Sequence, residues 1–378
     1  MSQKFHIRAH RSLSRRKFIK SAAVTGVLSA SLQNPLWSFA QSTPPKPSQL
    51  VVSMFGFNLD FFEKNIMVPF KEKYGIELVY DLGNNSERLA KLIARKDNPN
   101  TDVVMMTRSF AYDALKQDLL LPYSAKNIPS LSQLPSFAKD PFDDGGGVAI
   151  AYTPIDLQLA YRTDKTESPI TSWRGMWRSE FNGFVTIPDM TGTFGPASLI
   201  LTAKAFGGSE NDLEPGWKKL EELMSHLTTI YTRTSATITL FQQEEVWIWP
   251  IGSFGFGSFD NSVKAADLPS TRIIPEEGLA TELNVTALVK GRPEANTFWG
   301  QKYMDFLLSE EVQLRQAQDQ VDSPINLGVT ADRFSPDVAK NLVFLGDQIG
   351  DLLILNQEFL SMNKAGWIER FNKIRTAS

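Results

Sequence analysis

Polar and aromatic side chains are concentrated in four short loops, each of which follows a predicted β-strand. The loops span residues 55–58, 83–86, 107–109 and 191–195. Hydroxyl, amide, guanidinium and phenyl groups can bind a small polar solute through hydrogen bonds and ring contacts, without any covalent step. The candidate ligand-binding residues in these loops are Phe55, Phe57, Asn58, Asn84, Asn85, Ser86, Thr107, Arg108, Ser109, Thr191, Gly192, Thr193 and Phe194.

Arg108 is the charged residue of these loops, and it indicates a class of solute. A guanidinium group can hold a carboxylate or a phosphonate through two parallel hydrogen bonds. The glycine-rich loop 191–195 precedes a predicted helix with Pro196 in its first turn, and the free N–H groups of a helix start attract anions. Both features favour a carboxylate, a phosphonate or a zwitterion, although a solvated Arg108 and an ordinary turn remain alternatives.

Four further candidates lie later in the chain. Trp247 and Trp249 are two residues apart in the predicted strand 246–251, so they share one face of it. Ser253 follows in a run of glycine and phenylalanine, and Asn284 belongs to another predicted strand. We expect the tryptophans and the run 252–259 near the hinge of the molecule, and Asn284 to face inward, while packing in the core is the alternative for the tryptophans.

The composition argues against catalysis by histidine, cysteine or a bound cofactor. The chain has no cysteine, and His226 is the only histidine after residue 40. These counts exclude a zinc site with several Cys or His ligands, and a Ser-His-Asp triad would have to use His226. No GxGxxG, GxSxG or GxxxxGK[ST] motif is present. We predict no enzymatic activity, cofactor or metal site, although an all-oxygen metal site or a carboxylate-based hydrolase stays open.

Predicted strands and helices alternate in the first third of the chain. Strands at 50–55, 76–82 and 101–107 are separated by segments of helical periodicity. This alternation predicts an α/β fold with a mostly parallel sheet flanked by helices. Ligands of such sheets bind at the carboxyl ends of the strands, which is where the candidate loops lie.

The amino-terminal segment has the layout of an export signal. The sequence SRRKFIK at 14–20 precedes a mildly apolar stretch that ends in the small-x-small sequence 38–40. It resembles a twin-arginine signal, so we expect cleavage near Ala40 and a periplasmic protein. Without the seven Lys/Arg of residues 1–40, residues 41–378 carry 32 basic and 42 acidic residues, a net charge of −10. This charge argues against nucleic acid and anionic membranes as partners.

A series of segments along the chain resembles one protein family. The segments are YGIELVYD (74–81), GNNSERLAKL (83–92), DVVMM (102–106), SWRGMWRSEFNGFVTIPD (172–189), FQQEEVWI (241–248), IIPEEGLATELNVTALVKG (273–291) and GWIERFNKI (366–374). In order and spacing, the chain resembles the solute-binding proteins of ABC importers, in the branch that includes spermidine/putrescine-binding proteins. The resemblance implies a two-lobe periplasmic binding protein that closes like a venus flytrap on a small-molecule solute and delivers it to an inner-membrane permease. It also implies a monomer.

The resemblance further implies a division of the chain. After the signal peptide at 1–40, we expect the first lobe at 46–152 and the second lobe at 153–255. Residues 256–295 would return to the first lobe through hinge strands. Residues 296–378 would form carboxyl-terminal helices that belong largely to the second lobe.

The chain departs from the polyamine-binding pattern at three places. Loop 190–195 has no acid, the sequence after Trp249 is Pro-Ile-Gly-Ser, and Asn284 stands where such members tend to carry an acid. A buried ammonium group without a carboxylate partner is costly, so a free polyamine is disfavoured. A polyamine-binding protein stays open as an alternative, as does an iron carrier that uses tyrosines. The solute, the permease, and a role in transport or in sensing stay open too.

Overall fold

The computed structural model describes residues 43–142, 147–342, 353–354 and 357–377. The expected export signal and its cleavage site lie outside these residues. Within the described ranges, no helix combines the length and apolar character needed to cross a lipid bilayer.

Eleven strands within the described residues form one continuous sheet. They are β1 (Gln49–Met54), β2 (Glu77–Leu82), β3 (Val103–Thr107), β4 (Leu120–Leu121), β5 (Ala149–Arg162), β6 (Val185–Pro188), β7 (Leu227–Tyr231), β8 (Ile248–Gly252), β9 (Ser270–Ile273), β10 (Ala280–Val289) and β11 (Leu353–Ile354). The main path runs β2-β1-β3-β10-β5-β8-β6-β7. Strands β4 and β11 pair with β10, and β9 pairs with β5.

Helices connect most of these strands. The α-helices are α1 (Leu59–Phe62), α2 (Val68–Tyr74), α3 (Asn85–Ala94), α4 (Arg108–Lys116), α5 (Ser136–Lys139), α6 (Gly195–Ala205), α7 (Glu214–Met224), α8 (Thr234–Gln242), α9 (Phe256–Ala265), α10 (Glu294–Leu308), α11 (Glu310–Gln318), α12 (Pro336–Ala339) and α13 (Gln357–Ala377). A π-helical segment, Glu63–Met67, joins α1 to α2. Short 3-10 helices span Ala125–Asn127, Pro129–Gln133, Thr163–Lys165, Trp173–Trp177, Ser179–Phe181, Ser253–Gly255 and Ala331–Arg333.

The strand-helix alternation predicted for the first third of the chain is confirmed. Strand β1 pairs in parallel with both β2 and β3. Helices α1–α2 and α3 make the two connections between these strands. The carboxyl ends of the three strands therefore meet at one edge of the sheet, and the loops that follow them are brought together there.

Two long antiparallel strands, β5 and β10, run through the middle of the sheet. The sequence predicts two β pieces around Pro154, but β5 is a single strand of 14 residues. Strand β10 pairs with it on one side and with β3 on the other. The β5–β10 register shifts between Asn284 and Val285, opposite Thr153 and Ala151. Proline lacks an N–H donor, and an irregularity of this kind is where a sheet tolerates it.

Two large hydrophobic cores lie at the two ends of these strands. The first core contains Leu50, Met106, Ala149 and Val285, and we call the part of the chain around it the first lobe. The second core contains Leu157, Ile187, Leu199 and Ile248, and defines the second lobe. Since β5 and β10 contribute to both cores, they are the connections on which the lobes can bend.

The helices α10 and α11 correct the expected division of the chain. Trp299, Tyr303 and Phe306 of α10 and Val312 of α11 are buried in the first core. Of the segment 296–378, it is α13 that packs in the second core, through residues such as Phe371. The expectation that residues 296–378 belong largely to the second lobe is therefore wrong for α10 and α11. The apolar faces of α10 and α11 pack in the first core. Sequence periodicity shows that a helix has an apolar face but not which core that face enters.

Candidate ligand-binding cleft

A cleft of about 520 Å³ opens between the two lobes. This volume lies within the range that small-molecule sites occupy in proteins. Side chains from both lobes line it, because the carboxyl ends of β1, β2, β3 and β6 all face this space. A solute bound here would contact both lobes at once.

The start of α3 forms part of the wall contributed by the first lobe. Asn84 is the N-cap residue, and its side-chain oxygen accepts a hydrogen bond of 2.9 Å from the Glu87 N–H. The Glu87 carboxylate in turn accepts one of 2.8 Å from the Asn84 N–H. This capping box satisfies two N–H groups at the helix start and occupies the Glu87 carboxylate. Ser86 also lines the cleft.

Arg88 lies behind this wall and orients Asn85. Its side chain is only 1 % exposed, and it donates hydrogen bonds to Met105 O and, at 2.5 Å, to Asn85 Oδ1. The Thr107 N–H donates a second hydrogen bond of 3.2 Å to the same Asn85 oxygen. Burial lowers the pKa of Arg88 to about 10, which still leaves it a cation at neutral pH.

Several contacts cross from the first lobe to the second beside the cleft. Asn85 Nδ2 donates a hydrogen bond of 3.0 Å to Thr193 Oγ1. Asn58 Nδ2 donates a long one of 3.4 Å to Phe254 O. The rings of Phe57 and Phe254 meet edge to face with 6.1 Å between their centroids. These residues belong to loops on opposite sides of the cleft, so their contacts depend on the distance between the lobes.

The wall contributed by the second lobe begins with the loop after β6. The Asp189 carboxylate accepts hydrogen bonds from the Thr191 N–H at 2.9 Å and from the Thr191 hydroxyl at 2.5 Å. Its other oxygen lies 3.6 Å from the Arg375 guanidinium. The loop turns tightly into α6, because a Cβ on Gly195 would lie 2.5 Å from Met190 Cα.

The start of α8 is a part of this wall that sequence reasoning missed. Thr232, Arg233, Thr234 and Ser235 all line the cleft. Arg233 is the N-cap residue and no side chain caps the helix there. The Arg233 side chain is exposed, and within the described residues its guanidinium forms no ion pair or hydrogen bond. The signal in the sequence was a run of three hydroxyl residues around an arginine, between the strand 227–231 and the apolar segment that follows.

The second missed element is the segment after α11, which contributes Val321 and Asp322 to the cleft. Asp322 is 6 % exposed, and its Oδ2 accepts a hydrogen bond of 3.0 Å from Gln316 Nε2. Burial raises the pKa of Asp322 to about 7. No local motif marks this residue, because its position depends on the packing of α11 in the first lobe.

The structure places eleven of the seventeen sequence-predicted residues in the cleft lining. They are Phe55, Phe57, Asn58, Asn84, Asn85, Ser86, Thr107, Thr191, Gly192, Thr193 and Asn284. The lining also includes residues that were not predicted. They are Gly56, Phe62, Leu82, Gly83, Glu87, Arg88, Ile155, Asp189, Thr232, Arg233, Thr234, Ser235, Phe254, Val321 and Asp322.

Arg108 lies outside this lining, which corrects the role expected from the sequence. Its side chain is 7 % exposed, and its Nε donates a hydrogen bond of 3.2 Å to Glu282 Oε1. Glu282, on β10, is itself 4 % exposed. The guanidinium therefore forms an ion pair with a carboxylate of the protein. Neighbouring Ser109 lies 3.3 Å from Thr107 through their hydroxyl oxygens and is also outside the lining.

The remaining four predicted residues pack behind the cleft. Trp249 is fully buried in a small third core with Phe241 and Phe259. Trp247 stacks on Phe184 with 3.5 Å between ring centroids. Phe194 packs in the second core, and the Ser253 hydroxyl accepts a hydrogen bond of 3.1 Å from the Asp156 N–H. For both tryptophans the alternative of structural packing is the one observed.

The described residues contain no group of three or more His, Asp or Glu side chains that could hold a metal ion. The polar groups of the cleft are instead amides, hydroxyls, two arginines and three carboxylates. Such a lining can bind a polar solute by hydrogen bonds and ion pairs.

The family of the chain follows from its sequence as a whole. Residues 65–343 match the family described as bacterial extracellular solute-binding protein. The chain belongs to this family. No curated protein sequence is significantly similar to it.

Solved structures of solute-binding proteins resemble the chain over most of its length. An ABC transporter protein from Clostridium perfringens is 28% identical, with a TM-score of 0.68, and the match covers 86% of this chain and 99% of that one. The spermidine/putrescine-binding protein PotD from Streptococcus pneumoniae is 18% identical, with a TM-score of 0.68 and coverage of 87% and 100%. AgtB from A. tumefaciens, solved with agropinic acid, is 20% identical, with a TM-score of 0.69 and coverage of 86% and 99%.

These matches confirm the predicted resemblance and the predicted two-lobe periplasmic-binding-protein fold. The chain is thus the solute-binding component of an ABC transporter, a class of exported proteins that capture a small molecule and pass it to a membrane permease.

Proposed function

We propose that this solute-binding protein captures a small polar organic solute that carries a carboxylate or phosphonate group, in the cleft between its lobes. The observation that carries the proposal is the exposed Arg233 guanidinium at the cleft wall, which has no ion-pair partner in the described part of the chain and lies beside three hydroxyl residues and the uncapped start of α8. Arginine holds carboxylates and phosphonates through paired hydrogen bonds, and hydroxyl and backbone N–H groups add further donors. The other cleft arginine, Arg88, already uses its donors within the protein.

The acidic residues of the cleft support this preference over a free polyamine. Glu87 is held in the capping box of α3, and Asp189 is hydrogen-bonded to Thr191 and lies near Arg375. A polyamine needs a carboxylate for each buried ammonium group, because an unpaired buried charge is costly. With two of three carboxylates engaged, the cleft suits a solute with at most one ammonium group.

The proposal includes the setting in which the protein works. We infer a monomer that is exported by the twin-arginine route, cleaved near Ala40 and active in the periplasm without a cofactor. Closure of the lobes around β5 and β10 would present the closed form to the permease, a hinge motion of known type. Binding without turnover is what the solute-binding family of the chain supports, so we propose no enzymatic activity.

A thermal-melting screen of the purified protein tests the solute class. The panel contains carboxylates, phosphonates, amino acids, polyamines, sugars and ferric chelates. A solute at 100 times its Kd should stabilise the protein by about 2.7 kcal/mol, which gives a clear rise in Tm. We expect shifts with anionic or zwitterionic compounds, and the Arg233→Gln variant should lose them.

The matched control is Arg178→Gln, because Arg178 is a partly exposed arginine outside the cleft. A shift with polyamines alone would contradict the proposed class and favour the polyamine alternative. Consumption of the bound compound, followed by mass spectrometry, would contradict the absence of enzymatic activity.

A further inference from the structure

Asp322 differs from the other two carboxylates of the cleft. Within the described residues its one side-chain hydrogen-bond partner is Gln316, whose Nε2 donates to Oδ2. A carboxylate offers about four lone-pair positions. Within the described residues, no Lys or Arg lies within ion-pair distance of it, whereas Asp189 lies near Arg375. Most of the hydrogen-bond acceptor positions of Asp322 are therefore unused, although the residue is only 6 % exposed.

The surroundings of Asp322 do not replace a cation. Tyr152 on β5 and Tyr303 on α10 are ionisable residues that interact electrostatically with Asp322. Burial raises the pKa of both phenols above its ordinary value. They are therefore neutral. The Tyr152 hydroxyl is buried with no hydrogen-bond partner in the described residues. Beside neutral phenols and with one amide donor, the ionised form of this carboxylate has no compensating cation among the described residues.

The opposite charge pattern occurs at the start of α8. There the exposed Arg233 guanidinium lines the same cleft, and it has no anionic partner among the residues that the structure describes. One unpaired cation and one under-paired carboxylate in one cleft are complementary to a solute that carries both an anionic and an ammonium group. The Phe57 and Phe254 rings in the same lining provide apolar surface for the carbon chain between such groups.

We propose that Asp322 is a specificity-determining residue that pairs with an ammonium group of the bound solute, and that the solute is therefore a zwitterion. This inference rests on the proposed function and narrows its substrate class. A charged pair in a water-excluded cleft forms when the lobes close, so the carboxylate gains its partner only in the bound state.

Matched compounds that differ only in the ammonium group test this inference. The probes are 4-aminobutanoate with pentanoate, and 2-aminoethylphosphonate with propylphosphonate, since a methyl group has nearly the size of an ammonium group. Affinity is measured by calorimetry for the wild type and for Asp322→Asn. We expect the ammonium members to bind more tightly to the wild type, and Asp322→Asn to lose about 10- to 100-fold of that affinity, as for other charged hydrogen bonds.

A second measurement keeps the test decisive if these probes bind weakly. The carboxyl carbon of Asp322 is followed by NMR while each probe is added at millimolar concentration. An ammonium probe should stabilise the ionised carboxylate, and its methyl counterpart should not. Equal affinities within the pairs, or no response of Asp322 to either ammonium probe, would overturn the inference.

The control is Asp337→Asn, an exposed aspartate on α12 outside the cleft. It should leave all affinities unchanged. If anionic compounds bind equally well to the wild type and to Asp322→Asn, solute binding stands and the role of Asp322 fails. If no compound binds either protein and Asp322 does not respond, the inference fails together with the proposed class of solute.

Discussion

Asn85 holds its amide in one orientation because both of its ends have fixed partners. Its oxygen accepts hydrogen bonds from Arg88 and from the Thr107 N–H. The amide nitrogen must therefore face the second lobe, where it donates to Thr193. The buried arginine thus acts as a positioning residue for a polar group of the cleft, because its N–H groups donate to Met105 O and Asn85 Oδ1.

Asp322 leads to a prediction about stability and pH. Burial raises its pKa from 3.8 to about 7 in the folded protein. Between these two values the folded state binds more protons than the unfolded state, so stability falls as the pH rises through this window. Each unit of pKa difference corresponds to 1.36 kcal/mol, and the effect should reach about 4 kcal/mol at most above pH 7. Asp322→Asn removes this loss.

Urea denaturation of the ligand-free protein from pH 4.5 to 8 measures the effect. We expect Asp322→Asn to match the wild type near the acid end and to be more stable above pH 7. Asp337→Asn, with its exposed side chain, should differ from the wild type by a constant amount at every pH. A constant difference for Asp322→Asn as well would show that this carboxyl is not perturbed.

At the scale of elements, the turn between β6 and α6 shapes the cleft wall of the second lobe. Gly195 has no room for a side chain, since an added Cβ would lie 2.5 Å from Met190 Cα, a backbone atom that cannot move aside alone. Gly195→Ala should therefore displace loop 189–194, which carries Thr191 and Thr193. We expect a loss of 1–3 kcal/mol in stability, about the usual cost of overpacking, and weaker binding of any panel solute.

The control for this substitution is Gly366→Ala in α13, where no atom lies within 4 Å of the added Cβ. Alanine is favoured over glycine inside a helix by about 0.5–1 kcal/mol, so this variant should be slightly more stable and bind normally. Urea denaturation and melting shifts report both quantities. Unchanged stability and affinity for Gly195→Ala would show that the turn adapts without affecting the cleft.

The elements also show what the sequence could predict. Loops 55–58, 83–86 and 191–193 were found because they follow apolar strands whose carboxyl ends meet by the rules of parallel sheets. The same rules could not find Arg233 or Asp322, since the first depends on an undetected strand and helix and the second on the docking of α11. Nor could periodicity distinguish a tryptophan that packs in a core, such as Trp249, from one that lines a cleft. In both cases the residue lies on the apolar face of a strand.

At the scale of the molecule, α4, β10 and α13 meet behind the cleft and tie the two lobes together. Lys364 of α13 lies 3.5 Å from the centroid of the Phe110 ring on α4, and Ser361 donates a hydrogen bond of 2.9 Å to Asp113. The Arg108–Glu282 pair joins α4 to β10 in the same region. Because β10 contributes to both cores, this junction should couple their unfolding.

The Arg108–Glu282 pair leads to a prediction about the stability of the whole molecule. Arg108→Ala removes the hydrogen-bonded cation from the buried Glu282 carboxylate and leaves Lys364 as the nearby positive charge. Loss of one partner of a buried ion pair typically costs about 3–5 kcal/mol. We expect the variant to unfold at lower urea concentration, in a single transition of unchanged steepness. Its affinity for panel solutes should change little under conditions where it is folded, because Arg108 does not line the cleft.

The double variant Arg108→Met with Glu282→Gln separates lost pairing from lost packing. Removing both charges eliminates the unpaired carboxylate, so much of the stability should return, and a double-mutant cycle gives the coupling energy. An Arg108→Ala protein of normal stability that no longer binds solute would instead restore Arg108 as a ligand-binding residue. Melting as two separate transitions would show that the lobes unfold independently, and that the junction behind the cleft does not join them into one cooperative unit.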